Sequence, residues 1–198
     1  MLIKVPSLEA VYDAIKDMNP EGAVGPDGFG GTFYVHCWNI MKANLYAAVQ
    51  AFFHGYYLPK AWSSTLILPV PKVSNPNNFG DMRPISLCNL CAKIILKVLT
   101  DRMVVILPHI ISFEQSGFVR GRNISENVLL AQEMLHKIDA NVRGSNVVLK
   151  WIWLRHMIEV MRQFGFDGRF IDMVWRLLSN CWYSVSVNGQ PEGFFSFI

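Results

Sequence analysis

Basic side chains that could bind phosphate are concentrated in the middle of the chain. From Arg83 to Arg122 there are six basic and two acidic residues, a net charge of +4 against −1 for the remainder. A basic segment on a neutral background is typical of proteins that contact nucleic-acid phosphates. The alternative, a solvated helix face, explains Lys93 and Lys97 almost as well.

Residues 118–122, Phe-Val-Arg-Gly-Arg, add a second feature of phosphate binding. Gly121 lacks a side chain, so the backbone there can approach a phosphate closely, and the two flanking arginines supply charge. Asn123 is predicted to begin a helix, whose N-terminus also attracts anions. An Arg-Gly-Arg turn that merely caps a helix is the alternative. The sequence therefore predicts nucleic-acid contacts for Lys93, Arg120, Gly121 and Arg122.

Metal-binding patterns are missing from the sequence. The fifteen acidic residues include no Asp-Asp, Asp-x-Asp or Glu-x-Asp pair, and no two of the five histidines stand four apart on one predicted helix. Cys88 and Cys91 form a CxxC pair, which suggests zinc or redox chemistry, but a lone pair is a weak signal. Core packing of a cysteine on an apolar helix face is the other interpretation. We expect no metal ligand and no catalytic residue.

The composition indicates a folded intracellular protein. Of 198 residues, 52% are hydrophobic and 17% are charged, which excludes disorder as the main state and suggests apolar surface left to be covered. No apolar run approaches the roughly 20 residues that span a bilayer, and the N-terminus lacks the pattern of a secretory signal. We therefore expect free thiols and a nuclear or cytoplasmic location, not secretion.

Apolar periodicity predicts a mostly helical chain. Ser7 is a plausible cap for a helix at residues 7–18. A helix at residues 90–107 has one strongly apolar face and is predicted to end at Pro108. Helices are predicted at residues 7–18, 33–54, 90–107, 125–138, 154–164 and 168–180. On the third helix, Lys97 and Asp101 are four residues apart and can pair.

Short strands are predicted between these helices. Residues 65–70 are β-branched and apolar, and Pro69 and Pro71 predict that this strand lies at a sheet edge. Residues 147–149 form a second short strand. Residues 183–187 alternate with period two and meet Asn188-Gly189, a strong hairpin signal, with 194–198 as the return strand.

Four short motifs occur in an order that resembles a known family. They are Gly25-Pro26-Asp27-Gly28, Leu68-Pro69-Val70-Pro71-Lys72, Arg83-Pro84-Ile85-Ser86-Leu87 and Gly117-Phe118-Val119-Arg120-Gly121-Arg122. Together they resemble the fingers and early palm of reverse transcriptases of non-LTR (LINE-type) retrotransposons, most closely those of plants. The resemblance implies an α/β (α+β) fold, with a fingers-like region at 1–140 and a partial palm at 141–198.

The resemblance also implies roles for two residues. In the family the arginine that matches Arg83 reaches the triphosphate of the incoming nucleotide, which suits a planar guanidinium that grips phosphate bidentately. Lys72 resembles the lysine in the facing half of the same fingers hairpin. We therefore expect a vestigial nucleotide site at Lys72 and Arg83. The alternative is a surface lysine and arginine that flank a loop.

The chain departs from the family where the chemistry is done. Polymerases hold two metal ions on paired carboxylates, and the family uses Mg²⁺. Its Leu-Asp-x-x-x-Ala-Tyr-Asp segment should follow Lys150, but residues 151–155 read Trp-Ile-Trp-Leu-Arg, and the sequence stops before a Tyr-x-Asp-Asp hairpin. We expect an inactive remnant of an RNA-directed DNA polymerase, truncated and internally deleted, that needs no cofactor.

Two further hypotheses concern what such a remnant does. It is either a residual, non-specific nucleic-acid-binding module that uses Arg83, Lys93, Arg120 and Arg122, or a poorly folded product without function. We expect weak binding of RNA or DNA through phosphates and no membrane association. Self-association through unpaired strand edges is also expected.

Overall fold

A four-stranded mixed sheet together with α-helices confirms the α/β fold class. The computed structural model describes residues 1–112, 115, 119, 121–125, 128–129, 132–133 and 157–196. The chain forms two compact units, Met1–Thr100 with Asp167–Ile198, and Asp101–Phe166. The predicted strand at 147–149 and the predicted boundary at 140/141 lie outside the described residues. No described helix is long and apolar enough to cross a membrane.

The N-terminal helices follow the predicted pattern with one break. Helix α1 (Leu8–Lys16) begins at Ser7, whose Oγ accepts a hydrogen bond from the Ala10 N–H at 3.2 Å. The predicted single helix at 33–54 is instead two helices, α2 (Gly31–His36) and α3 (Trp38–Phe53). Residues 32–38, Thr-Phe-Tyr-Val-His-Cys-Trp, are all weak helix formers, so a break at Cys37 costs little.

Strand β1 (Ser64–Pro71) lies inside the sheet, because the strand order is β2-β1-β3-β4. Strand β2 (Met82–Cys88) pairs antiparallel along the whole of β1, after a short 3₁₀ turn at Phe79–Asp81. Strand β3 (Trp182–Val187) pairs parallel with residues 64–67 only. The predicted edge position is therefore wrong for residues 64–67, whereas residues 68–71 have a partner on one side.

The two prolines that suggested an edge instead limit the length of β3 pairing. Hydrogen bonds from Lys72 N to Asp81 O (2.7 Å) and from Asn89 N to Ser64 O (3.4 Å) fix which pairs of the β1–β2 ladder are hydrogen-bonded. Pro69 then stands opposite Pro84 in a non-hydrogen-bonded pair, and its missing N–H is on the β3 side. Strand β3 stops pairing before that point.

The structure confirms the hairpin that Asn188-Gly189 predicts. Asn188 and Gly189 have φ values of 52° and 80°, the left-handed conformations that a type I′ turn requires. Strand β4 (Gln190–Phe195) follows at once and pairs with β3. The predicted return strand at 194–198 is therefore placed too late, because a two-residue turn leaves no room for a loop.

Helix α4 (Leu90–Val104) buries the face that the sequence predicts, and it ends three residues earlier than predicted. Pro108 lies in the first turn of a separate short helix, α5 (Leu107–Ile110), where proline is tolerated. Between residues 124 and 133, the residues that the structure describes are helical. The next described helix is α6 (Met157–Gln163). The apolar face of α4 consists of Leu90, Cys91, Ile94, Ile95, Val98 and Leu99.

Helix α7 (Gly168–Ser179) is held against the end of α3 by one buried arginine. Arg176 is 4% exposed and donates hydrogen bonds of 2.8 Å to the carbonyls of Phe52 and Tyr56. Its Nε also lies 2.7 Å from an Asp172 carboxylate oxygen. A buried guanidinium is tolerated only with such partners, so Arg176 fixes the position of α7.

Candidate nucleic-acid interface

The hairpin of β1 and β2 brings Lys72 and Arg83 to one face. Arg83 is opposite Val70, and Lys72 directly follows the last residue of β1, where its backbone N–H donates to the Asp81 carbonyl and continues the ladder. Side chains two apart on a strand share a face, so Lys72 and Arg83 are diagonal neighbours, about 7–8 Å apart in such a ladder. The predicted pair therefore lies together on the facing halves of one hairpin.

The two cations differ in how far they are engaged. Arg83 is exposed, and its guanidinium has no hydrogen bond or ion pair with any residue that the structure describes. Lys72 donates from Nζ to the Gly80 carbonyl at 2.8 Å, which uses one of the three ammonium donors. Both groups therefore keep N–H donors that could form hydrogen bonds with phosphate oxygens.

A cavity of about 430 Å³ lies beside β2, along the residues that follow Arg83. Four consecutive residues of β2 line it: Ile85 and Leu87 share the face of Arg83, and Ser86 and Cys88 belong to the opposite face. The opposite wall is the glycine-rich loop at residues 22–25. Apolar walls with few polar groups near a cationic face are typical of ligand sites.

Asn89 docks that loop onto the sheet, a contact that the sequence predictions missed. It is 1% exposed, accepts a hydrogen bond from Asp27 N at 3.1 Å and donates one to the Ala61 carbonyl at 2.6 Å. A β-carbon on Gly25 would lie 2.5 Å from Asn89 N and 2.6 Å from the Cys88 carbonyl carbon. Glycine is therefore required at position 25. The only sequence signal for Asn89 was an asparagine between a strand and a helix.

Lys93 is engaged in holding the same loop. Its Nζ donates to the Ala23 carbonyl at 3.2 Å, and the residue lines the cavity from α4. This hydrogen bond uses one of the three ammonium donors, so Lys93 can contact a ligand in the cavity only with the remaining two. The predicted nucleic-acid contact of Lys93 stays a prediction, and its observed contact is internal.

Arg122, in the second unit, is also engaged internally. Its guanidinium donates to the carbonyls of Pro108, Ile111, Ser112 and Gln115, at 3.5 and 3.0 Å for the first two and 2.7 Å for the last. This fork of donors ties the loop after α5 together. A phosphate would have to replace these carbonyls, so Arg122 in this conformation is not a free anion ligand.

Gly121 serves the turn that precedes Arg122. Its φ is +84°, and Arg122 N donates to the Val119 carbonyl at 3.2 Å, as in a β-turn that needs glycine at its third position. This conformation explains the glycine without a phosphate. Arg120 lies outside the described residues.

Cys88 and Cys91 make separate contacts. The Cys88 Sγ accepts a hydrogen bond from Thr65 Oγ1 at 3.3 Å, whereas the buried Cys91 Sγ lies 2.9 Å from the Tyr34 hydroxyl. Burial raises the pKa of both Cys91 and Tyr34, which favours the protonated thiol and phenol. Among the described residues, no group of three or more His, Cys, Asp or Glu side chains could hold a metal ion.

Comparison with known proteins relates the chain to a mobile element. Over 193 residues it is 26% identical to the "Transposon TX1 uncharacterized 149 kDa protein" of Xenopus laevis. The match covers 92% of this chain and 14% of that protein, so the chain spans about one seventh of the relative's length. No protein-family model matches the chain. The similarity is distant, and it supports a transposon-derived origin.

Proposed function

We propose that this chain is a remnant of a non-LTR retrotransposon reverse transcriptase that binds nucleic-acid phosphates weakly and does not polymerise. Its similarity to a transposon protein supports the origin. The observation that carries the binding proposal is the β1–β2 hairpin, whose register makes Lys72 and Arg83 diagonal neighbours. That arrangement offers a point charge and a bidentate donor to one phosphate group.

The absence of polymerase activity is proposed from an internal segment of the sequence. Phosphoryl transfer needs carboxylates that hold two Mg²⁺ ions, which neutralise the charge on the reacting phosphate. Residues 150–155, Lys-Trp-Ile-Trp-Leu-Arg, have no carboxylate where the resembling family has its first metal-binding aspartate. Lys72 and Arg83 can orient a phosphate, but they cannot replace metal ions that activate the attacking hydroxyl.

Salt dependence separates the hairpin from a wider basic surface. Each neutralised phosphate contributes about −0.7 to −0.9 to the slope of log affinity against log salt. Two hairpin cations therefore predict a slope near −1.5. The residual-module hypothesis, which uses Arg83, Lys93, Arg120 and Arg122, predicts a slope of about −3 to −3.5. Because Lys93 and Arg122 bind backbone carbonyls, we favour the shallow slope.

Fluorescence anisotropy with a labelled single-stranded 20-mer tests the hairpin. Arg83→Gln should weaken binding and flatten the salt slope by about one unit, because it removes one phosphate contact. Arg169→Gln is the matched control: it removes the same charge from α7, where the side chain is 77% exposed and lies 3.5 Å from Asp167. Equal losses for the two variants would show that only net charge matters, and would overturn the hairpin site.

Primer extension tests the lack of catalysis. We expect no extension of a primer on RNA or DNA template with Mg²⁺ or Mn²⁺. Template-dependent extension that persists after repurification would refute this part of the proposal. The third hypothesis, a poorly folded product, predicts a broad, non-cooperative urea transition, whereas a folded unit gives a cooperative one.

A further inference from the structure

One aromatic side chain at the tip of the β1–β2 hairpin is almost completely exposed. Phe79 is 93% accessible to solvent, in a 3₁₀ turn just before β2 begins. A phenyl ring exposed to this degree contributes almost nothing to a core, since burial is what stabilises it. Its exposure is therefore informative only in relation to its surroundings.

The turn that presents Phe79 is fixed by its own hydrogen bonds. The Asp81 carboxylate accepts from the backbone N–H groups of Asn77 (3.0 Å) and Asn78 (3.3 Å). Lys72 closes the other side, donating from Nζ to the Gly80 carbonyl at 2.8 Å and from its backbone to Asp81. The ring is therefore held on a preorganised tip, and a ligand need not order this loop on binding.

Lys72 brings a positive charge to the same turn. Its ammonium is bonded to the residue that follows Phe79, and Arg83 shares its face of the hairpin. An exposed ring next to cations that can contact phosphates is how proteins bind single-stranded nucleic acid without sequence preference: bases stack on the ring while phosphates meet the charges.

We infer that Phe79 is a stacking platform for one unpaired base of a single-stranded nucleic acid whose phosphates contact Lys72 and Arg83. The inference rests on the proposed function and adds the kind of strand that the hairpin binds. The five residues that precede the ring in the chain, 74–78, Ser-Asn-Pro-Asn-Asn, are mostly polar. A protein partner would instead need a wider apolar patch around its anchor residue.

Three probes separate stacking from charge: a 20-mer of thymidylate, an abasic oligomer of equal length and charge, and a duplex. At low ionic strength, Phe79→Ala should weaken binding of the thymidylate strand by about 5- to 150-fold, the effect of losing one stacked base. Binding of the abasic oligomer should not change. Phe79→Trp should bind the thymidylate strand at least as well as the unmodified chain.

Ile40→Ala is the matched control, because Ile40 is 85% exposed on α3 and its loss also removes exposed apolar surface. It should leave all three affinities unchanged. Arg83→Gln should weaken the thymidylate and abasic oligomers equally, which identifies the phosphate contact. Each variant should unfold at the same urea concentration as the unmodified chain, since these three side chains are exposed.

Several results would overturn the inference. If the unmodified chain binds none of the probes, both the proposed function and the inference fail. If it binds and Phe79→Ala binds equally well, the inference alone fails. If Phe79→Ala weakens binding of the abasic oligomer as much as that of the thymidylate strand, Phe79 stabilises the turn and does not stack on a base. Loss of self-association in sedimentation, with oligomer binding intact, would assign Phe79 to a protein contact.

Discussion

Replacing Asn89 by alanine should destabilise the first unit substantially, because one buried amide joins three parts of it. The change removes the hydrogen bonds to Asp27 N (3.1 Å) and to the Ala61 carbonyl (2.6 Å). A buried polar group left without a partner costs about 1–3 kcal/mol. Both backbone groups are only partly buried, so we expect a total loss of about 2–4 kcal/mol in the free energy of unfolding.

Urea unfolding followed by tryptophan fluorescence measures this loss. With a urea dependence near 2 kcal/mol per molar, the midpoint should fall by about 1–2 M with no change in slope. Asn89→Asp provides a sharper test. It keeps the acceptor for Asp27 N, but it places a carboxylate against the Ala61 carbonyl, so burial should raise the pKa of the new acid above its unfolded value. That variant should therefore gain stability as the pH falls and the acid becomes a donor.

Two glycines of the docked loop provide the controls. Gly25→Ala should cost at least as much as Asn89→Ala, and combining the two should not restore stability, because two of the three atoms that its β-carbon meets are backbone atoms. At Gly28, φ is +74° and a β-carbon would meet nothing within 4 Å. Gly28→Ala should thus cost only about 1–2 kcal/mol of left-handed strain. An Asn89→Ala midpoint equal to that of the unmodified chain would refute the docking role.

Arg176→Met should lower the free energy of unfolding by about 2–4 kcal/mol, because two backbone carbonyls at 2.8 Å lose their donor, whereas Asp172 is half exposed and returns to water. The control Arg162→Met, at an exposed ion pair of 3.3 Å, should change it by less than about 0.5 kcal/mol; equal effects in urea titrations would contradict this. Stability should also fall above pH 9. Burial raises the pKa of Cys91 and Tyr34 above 9.0 and 10.0, so the unfolded chain releases these protons first and each group removes up to about 1.4 kcal/mol per pH unit. Cys91→Ala and Tyr34→Phe should each make this decline less steep. A free energy of unfolding that does not change between pH 8 and 10.5 would exclude it.

Features that depend on neighbouring residues were predictable from the sequence. Ser7 caps α1 as predicted, and the buried face of α4 is the one that its spacing indicates. The Asn188-Gly189 turn forms because these residues tolerate positive φ. The β1–β2 register also places Lys72 and Arg83 on facing halves of one hairpin, and their role toward a nucleotide stays a prediction. Boundaries were less accurate, as the break at Cys37 and the early start of β4 show.

Contacts between distant residues were decided by the tertiary structure alone. The sequence contains the prolines of β1, but only the parallel pairing with β3 shows that this strand is internal over residues 64–67. Basic residues that look alike in the sequence also separate: Arg83 stays exposed, whereas Lys93 and Arg122 bind carbonyls. The physical reason is that charge and periodicity are properties of a residue and its neighbours. The hydrogen-bond partner of a side chain depends on which backbone groups the fold leaves unpaired nearby, as with Asn89 and Asp27, 62 positions apart.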